Sequence, residues 1–159
     1  MPYFRQVVEI RSSPPHVWSI LLDVERWPEW TTSVTKVQRM DIGPLTLGSR
    51  TRIWQPRLMP AVWQITSLDE PRHVFAWTTH VLGVKINARH QVEGLKSHSR
   101  VTLTLHYAGM AGALLARVYR NLNWDYLSRE GNGLKQRCEF PVPKPAVPAA
   151  RIPNTAQRS

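Results

Sequence analysis

A chain of 159 residues, 42% of them hydrophobic, is long enough for one domain with a real core. Its single cysteine, Cys138, excludes an intramolecular disulfide and any multi-cysteine zinc site. The formal charge of +10 is spread along the chain and never forms a Lys/Arg block interleaved with aromatics, which speaks for a solvated basic surface and against specific nucleic-acid recognition.

The first ten residues carry no long apolar run, and no stretch reads as a signal peptide or a membrane span. A cytoplasmic protein without membrane insertion is therefore expected. Phe4, Gln6, Val8 and Ile10 alternate with Arg5, Val7, Glu9 and Arg11, a first strand with one mostly apolar face. Ser12-Ser13-Pro14-Pro15 is helix-start chemistry, and Val17, Trp18, Ile20, Leu21 and Leu22 supply the buried side of a short helix. Pro28 interrupts a second short helix over 24–30, where Trp27 and Trp30 are spaced to face a sheet.

From there the pattern is β. Strands are predicted over 34–40, 49–55, 61–66 and 74–80, separated by turn chemistry at Asp41-Ile42-Gly43-Pro44, Pro56 to Pro60 and Asp69-Glu70-Pro71. The clearest strand sets Val84, Ile86, Ala88, His90 and Val92 on one face against Lys85, Asn87, Arg89, Gln91 and Glu93 on the other. A period of two gives one buried and one wet face, so His90 lies on the buried one. The last strand turns Val101, Leu103, Leu105 and Tyr107 inward.

Residues 109–137 predict one long amphipathic helix, roughly 40 Å at about 1.5 Å per residue. Its apolar side is Leu114, Leu115, Val118, Leu122, Tyr126, Leu127 and Leu134; Arg117, Arg120, Asn121, Asn123, Asp125 and Arg129 fill the other. Gly131 and Gly133 each weaken it by about 1 kcal/mol relative to Ala. Either the last turn frays, or the glycines let the helix lie close on the sheet. Residues 1–138 form the domain, and the prolines from Pro141 to Pro153 predict a disordered tail over 139–159.

The order of strand, two short helices, six strands and a C-terminal helix resembles the polyketide cyclase/dehydrase and lipid-transport family of the START-like (SRPBCC, helix-grip) superfamily. The residues that carry the likeness are Ser12-Ser13-Pro14-Pro15-His16-Val17-Trp18, Leu22-Asp23, Trp27-Pro28-Glu29-Trp30, Leu47-Gly48-Ser49, Trp63-Gln64-Ile65-Thr66, Phe75-Ala76-Trp77, Ser99-Arg100-Val101-Thr102-Leu103 and Gly133-Leu134-Lys135. The resemblance implies an α+β fold: a curved antiparallel seven-stranded sheet around the C-terminal helix, with a cavity between them. It also implies a hydrophobic small molecule of the polyketide, lipid or isoprenoid class as partner.

Projected inward, the strand alternation gives Gln55, Trp63, Phe75, Trp77, Thr79, Ala88, His90 and Tyr107 as candidate lining residues; the helix adds Leu122, Tyr126 and Glu130 at four-residue spacing. Such aromatics either fill a core or line an apolar pocket. His90 with Glu130 is the candidate catalytic pair, a base and the carboxylate that orients it, although a buried histidine bonded to a tyrosine or a carbonyl is the alternative. The six histidines show no metal-ligand spacing, and there is no phosphate-binding glycine loop or nucleophile elbow, so neither metal nor cofactor is expected. Three functions follow: binding and transport of a hydrophobic small molecule; a cofactor-free cyclase, aromatase or dehydratase in the same pocket; or a surface partner of ribosome or membrane acting through the basic body. A monomer or homodimer is expected.

Overall fold

The strictly alternating 84–92 stretch becomes the longest strand, in the interior of the sheet. The structure, a computed structural model, describes residues 2–141. In chain order it contains β1 (Tyr3–Ile10), α1 (Pro14–Leu22), a 3-10 helix (Val24–Glu29), β2 (Lys36–Arg39), β3 (Arg50–Trp54), β4 (Ala61–Asp69), β5 (Val74–Val81), β6 (Val84–Gly94), β7 (Ser99–Tyr107), α2 (Gly109–Val118) and α3 (Arg120–Glu139). All seven strands are antiparallel in the order β1-β7-β6-β5-β4-β3-β2. This is the α+β helix-grip architecture that the sequence predicts. The expected tail lies outside the described residues from 142 onward.

The sheet is curved by a bulge in β4, where Ile65 pairs with Trp77 but Ser67 pairs with Ala76. The extra residue, Thr66, bends the strand and strengthens its twist. On the concave side the 3-10 helix drives Trp27 into the core, and its indole N–H donates to the Leu21 carbonyl at 3.0 Å. Trp27 meets Trp77 edge-on at 5.2 Å, which ties the helical segment to the sheet.

The single helix over 109–137 is corrected by the structure to two. Tyr119 breaks it with φ −93° and ψ 13°, and no glycine or proline marks the place. The cause is tertiary: α2 packs beside β6 and β7, whereas α3 lies along β1, and one straight helix cannot do both. The break resets the inward face beyond it, where Asn123, expected outside, is buried. Leu114 and Val118, which precede it, are expected inside and are exposed.

Gly131 and Gly133 settle the other open question, because α3 continues unfrayed to Glu139. The Glu139 carboxylate accepts the Arg11 backbone N–H at 2.8 Å and the Lys135 ammonium at 2.9 Å, and these bonds hold its carboxyl below the usual range. A Cβ on Gly133 would run into the Trp30 carbonyl oxygen, whereas one on Gly131 would meet Gln6 Cγ and Val8 Cγ1 at 3.5 and 3.7 Å. Gly133→Ala should therefore cost about 1–3 kcal/mol through overpacking against fixed backbone. Gly131→Ala should stabilise by up to about 1 kcal/mol through helix propensity. Urea unfolding of the two variants checks the opposite signs.

Candidate functional site

Three sheet rows face α3. Thr79, Ile86 and Tyr107 form the first, Trp77, Ala88 and Leu105 the second, and Phe75, His90 and Leu103 the third. In the middle row Ala88 stands between two large side chains and leaves a gap. Over it lies a cavity of about 720 Å³, within the range of small-molecule sites. Its roof comes from Leu115, Tyr119, Asn123, Tyr126, Leu127 and Glu130.

Of the residues singled out from sequence, Gln55, Trp63, Trp77, Thr79, Ala88, His90, Tyr107, Tyr126 and Glu130 all border this one cavity. Two do not. Phe75 is fully buried behind His90, its ring stacked on the imidazole at 4.4 Å and 7° and its other side against Trp18 at 5.9 Å. Leu122 is rotated off the cavity because the break at Tyr119 shifts the inward row to 119, 123, 126, 127 and 130. Sequence reasoning misses Asn123 because it assigns a polar residue to the wet side. The available signal is its position three before Tyr126 and four before Leu127, on the same helix face.

His90 and Glu130 meet: Nε2 lies 2.7 Å from Glu130 Oε1. The carboxylate only accepts, so the imidazole donates from Nε2. His90 Nδ1 is then buried without a partner, walled by Phe75 and by the indoles of Trp27 at 5.4 Å and Trp77 at 5.8 Å. The histidine is more sealed than the acid, with side-chain exposures of 5% and 13%. The carboxylate is thus the more accessible member of the pair.

The Tyr107 hydroxyl donates to Asn123 Oδ1 at 3.0 Å and fixes that amide. Asn123 Nδ2 and the Tyr126 hydroxyl have no partner. Burial pushes both tyrosine hydroxyls above their ordinary range, so they remain neutral donors near pH 7. Cys138 is buried outside the cavity, and desolvation pushes its thiol up to about 12, which removes it from nucleophilic chemistry. Among the described residues no three His, Cys, Asp or Glu side chains converge as a metal site, and no helix is long and apolar enough to cross a membrane.

A curved sheet gripping a helix over an internal cavity defines a helix-grip protein. The chain belongs to the polyketide cyclase/dehydrase and lipid transport family, whose pattern matches residues 1–139. Solved structures with this fold include a protein of Thermus thermophilus, at 17% identity and a TM-score of 0.69, covering 86% of this chain and 97% of that one. The Zhui aromatase/cyclase of a Streptomyces species aligns at 18% identity and a TM-score of 0.63, over 85% of this chain and 94% of its own. The major latex-like protein 151 of Panax ginseng aligns at 14% identity and a TM-score of 0.66, over 86% and 96%. At these identities the likeness is one of fold. No curated protein matches the sequence.

The Tyr107–Asn123 bond is testable in isolation. Tyr107→Phe leaves the buried Asn123 carbonyl oxygen without its donor and should cost about 1–3 kcal/mol. Adding Asn123→Leu removes the orphaned amide, so the double variant should be destabilised by less than the sum of the two single changes. A double-mutant cycle by urea unfolding measures that difference.

Proposed function

We propose that this chain binds an apolar small molecule carrying oxygen groups in the cavity between sheet and α3. The observation that carries the reading is the 720 Å³ space itself, kept open over Ala88 although it costs packing energy. Three of the buried polar atoms without partners, His90 Nδ1, Asn123 Nδ2 and the Tyr126 hydroxyl, belong to residues around it. Orphaned polar groups cost stability, and a ligand with carbonyl or hydroxyl oxygens would relieve part of that cost after small side-chain movements. Membership in a family described by polyketide cyclisation, dehydration and lipid transport supports the same ligand class.

A second reading is favoured by the His90–Glu130 pair. In a cofactor-free cyclase or dehydratase, the Glu130 carboxylate would remove an α-proton from a β-keto chain. The resulting enolate carbon would then bond to a second carbonyl carbon of the same chain. The new alkoxide would take the proton back, and loss of water would complete an aromatising step. The Tyr126 hydroxyl is a donor for the developing oxyanion. His90, less exposed than Glu130, is a positioning residue that holds the carboxylate through Nε2.

Two substitutions test these readings. Ala88→Phe fills the gap and should weaken binding of N-phenyl-1-naphthylamine, followed by quenching of tryptophan emission, at least tenfold. Unchanged affinity would place the ligand elsewhere. Glu130→Gln keeps the shape and should leave that affinity unchanged while lowering cyclisation of a linear poly-β-ketone at least 100-fold. No cyclisation above background by the unaltered protein leaves binding and transport as the function. Native mass spectrometry of the purified chain identifies any molecule that co-purifies.

A further inference from the structure

The cavity opens at one end of the sheet. Its exposed bordering residues, Arg57, Met59, Pro60, His80 and Leu82, come only from the β3–β4 loop and the β5–β6 hairpin. Pairing of Ile53 with Ala61 and of Val81 with Val84 brings those two turns to the same end as the close of β7. The Ala108 N–H donates to the Lys85 carbonyl, which puts the start of α2 beside them.

Apolar side chains project from all three elements. Met59, Leu82 and Met110 are 86%, 85% and 92% exposed, with Leu114 and Val118 at 67% and 69%. Met110, Leu114 and Val118 follow one another four apart along the outer side of α2, while Leu115 on the inner side borders the cavity. A helix apolar on both sides, with Arg117 as its one charge, is normally buried on both. Arg57, Lys85, Arg117 and Arg120 are exposed around these side chains, and none forms an ion pair among the described residues. The chain carries no acidic residue between Asp41 and Asp69, between Glu70 and Glu93, or between Glu93 and Asp125, the stretches that supply this end.

We infer that this end docks on an anionic lipid surface, with the Met59 and Leu82 tips and the outer stripe of α2 at the headgroup–acyl boundary. Side chains that stand out singly on three elements, with cations around them, suit a fluid interface, which needs no matching pockets. The cations answer to anionic headgroups. Docked in this way, the cavity faces the hydrocarbon, and an apolar molecule passes between bilayer and cavity without crossing water.

The test is co-sedimentation of the full chain, with no small molecule added, on vesicles of phosphatidylcholine alone or with 30% phosphatidylserine. Binding is expected on the anionic vesicles, at least tenfold weaker on the neutral ones, and reduced at 0.5 M salt. Leu82→Asp with Leu114→Asp should lower it at least tenfold without shifting the melting temperature, because both side chains are exposed. Arg117→Glu with Arg120→Glu should remove the preference for phosphatidylserine. Ile42→Asp, an equally exposed change in the β2–β3 turn, should leave binding unchanged. Failure to bind anionic vesicles overturns the inference. So does retention of vesicle binding by the Leu82/Leu114 variant. None of these outcomes depends on what the cavity holds.

Discussion

The structure depends on how α3 is laid against the sheet. At its C-terminal end the helix is pulled in: Gly133 lets it touch the Trp30 backbone, Gly131 rests on Gln6 and Val8 of β1, and Glu139 accepts from Arg11. Toward its N-terminal end Asn123 and Tyr126 border the cavity instead, across from the sheet row whose smallest residue is Ala88. A helix pinned at one end, with open space beneath the other, leaves a wedge, and that wedge is the cavity. The glycines and the alanine therefore act together, although they lie on different elements and have no contact.

Empty space and unpaired polar atoms both work against folding. The aromatic wall offsets part of this, since Trp27, Phe75 and Trp77 surround His90 and fix the imidazole from three sides. The fixed imidazole in turn fixes the Glu130 carboxylate at 2.7 Å. A buried, hydrogen-bonded pair of this kind is weak evidence for stability on its own. It lies at the edge of the cavity, beside the Asn123 amide and the Tyr126 hydroxyl, among mainly apolar side chains.

Charge is distributed along the same axis. Away from the mouth, Glu9 accepts from Arg100 and His98, and Glu139 pairs with Lys135. At the mouth Arg57, Lys85, Arg117 and Arg120 form no ion pair among the described residues. The basic net charge is spread over the chain, and at the end where the cavity opens part of it coincides with the exposed apolar tips.

The sequence by itself determined the strands, the two short helices and the inward faces, because strand alternation reports burial directly whenever one face is wet. It placed Ala88, His90 and Trp77 on one face for that reason. It could not place the helix break at Tyr119, which has no local signal and arises because α2 and α3 answer to different strands. Leu122 and Asn123 are misread as a consequence, since a break in the helix displaces every later side chain. Leu114 and Val118 precede it and are misread because their apolar character alone assigns them inward. Phe75 falls on the correct face by alternation, yet only the packing of α1 decided that it backs His90 instead of bordering the cavity. The meeting of His90 and Glu130, 40 residues apart, likewise depends on the angle at which α3 crosses the sheet. Periodicity fixes which way a side chain points, but only the assembled layers fix what it meets.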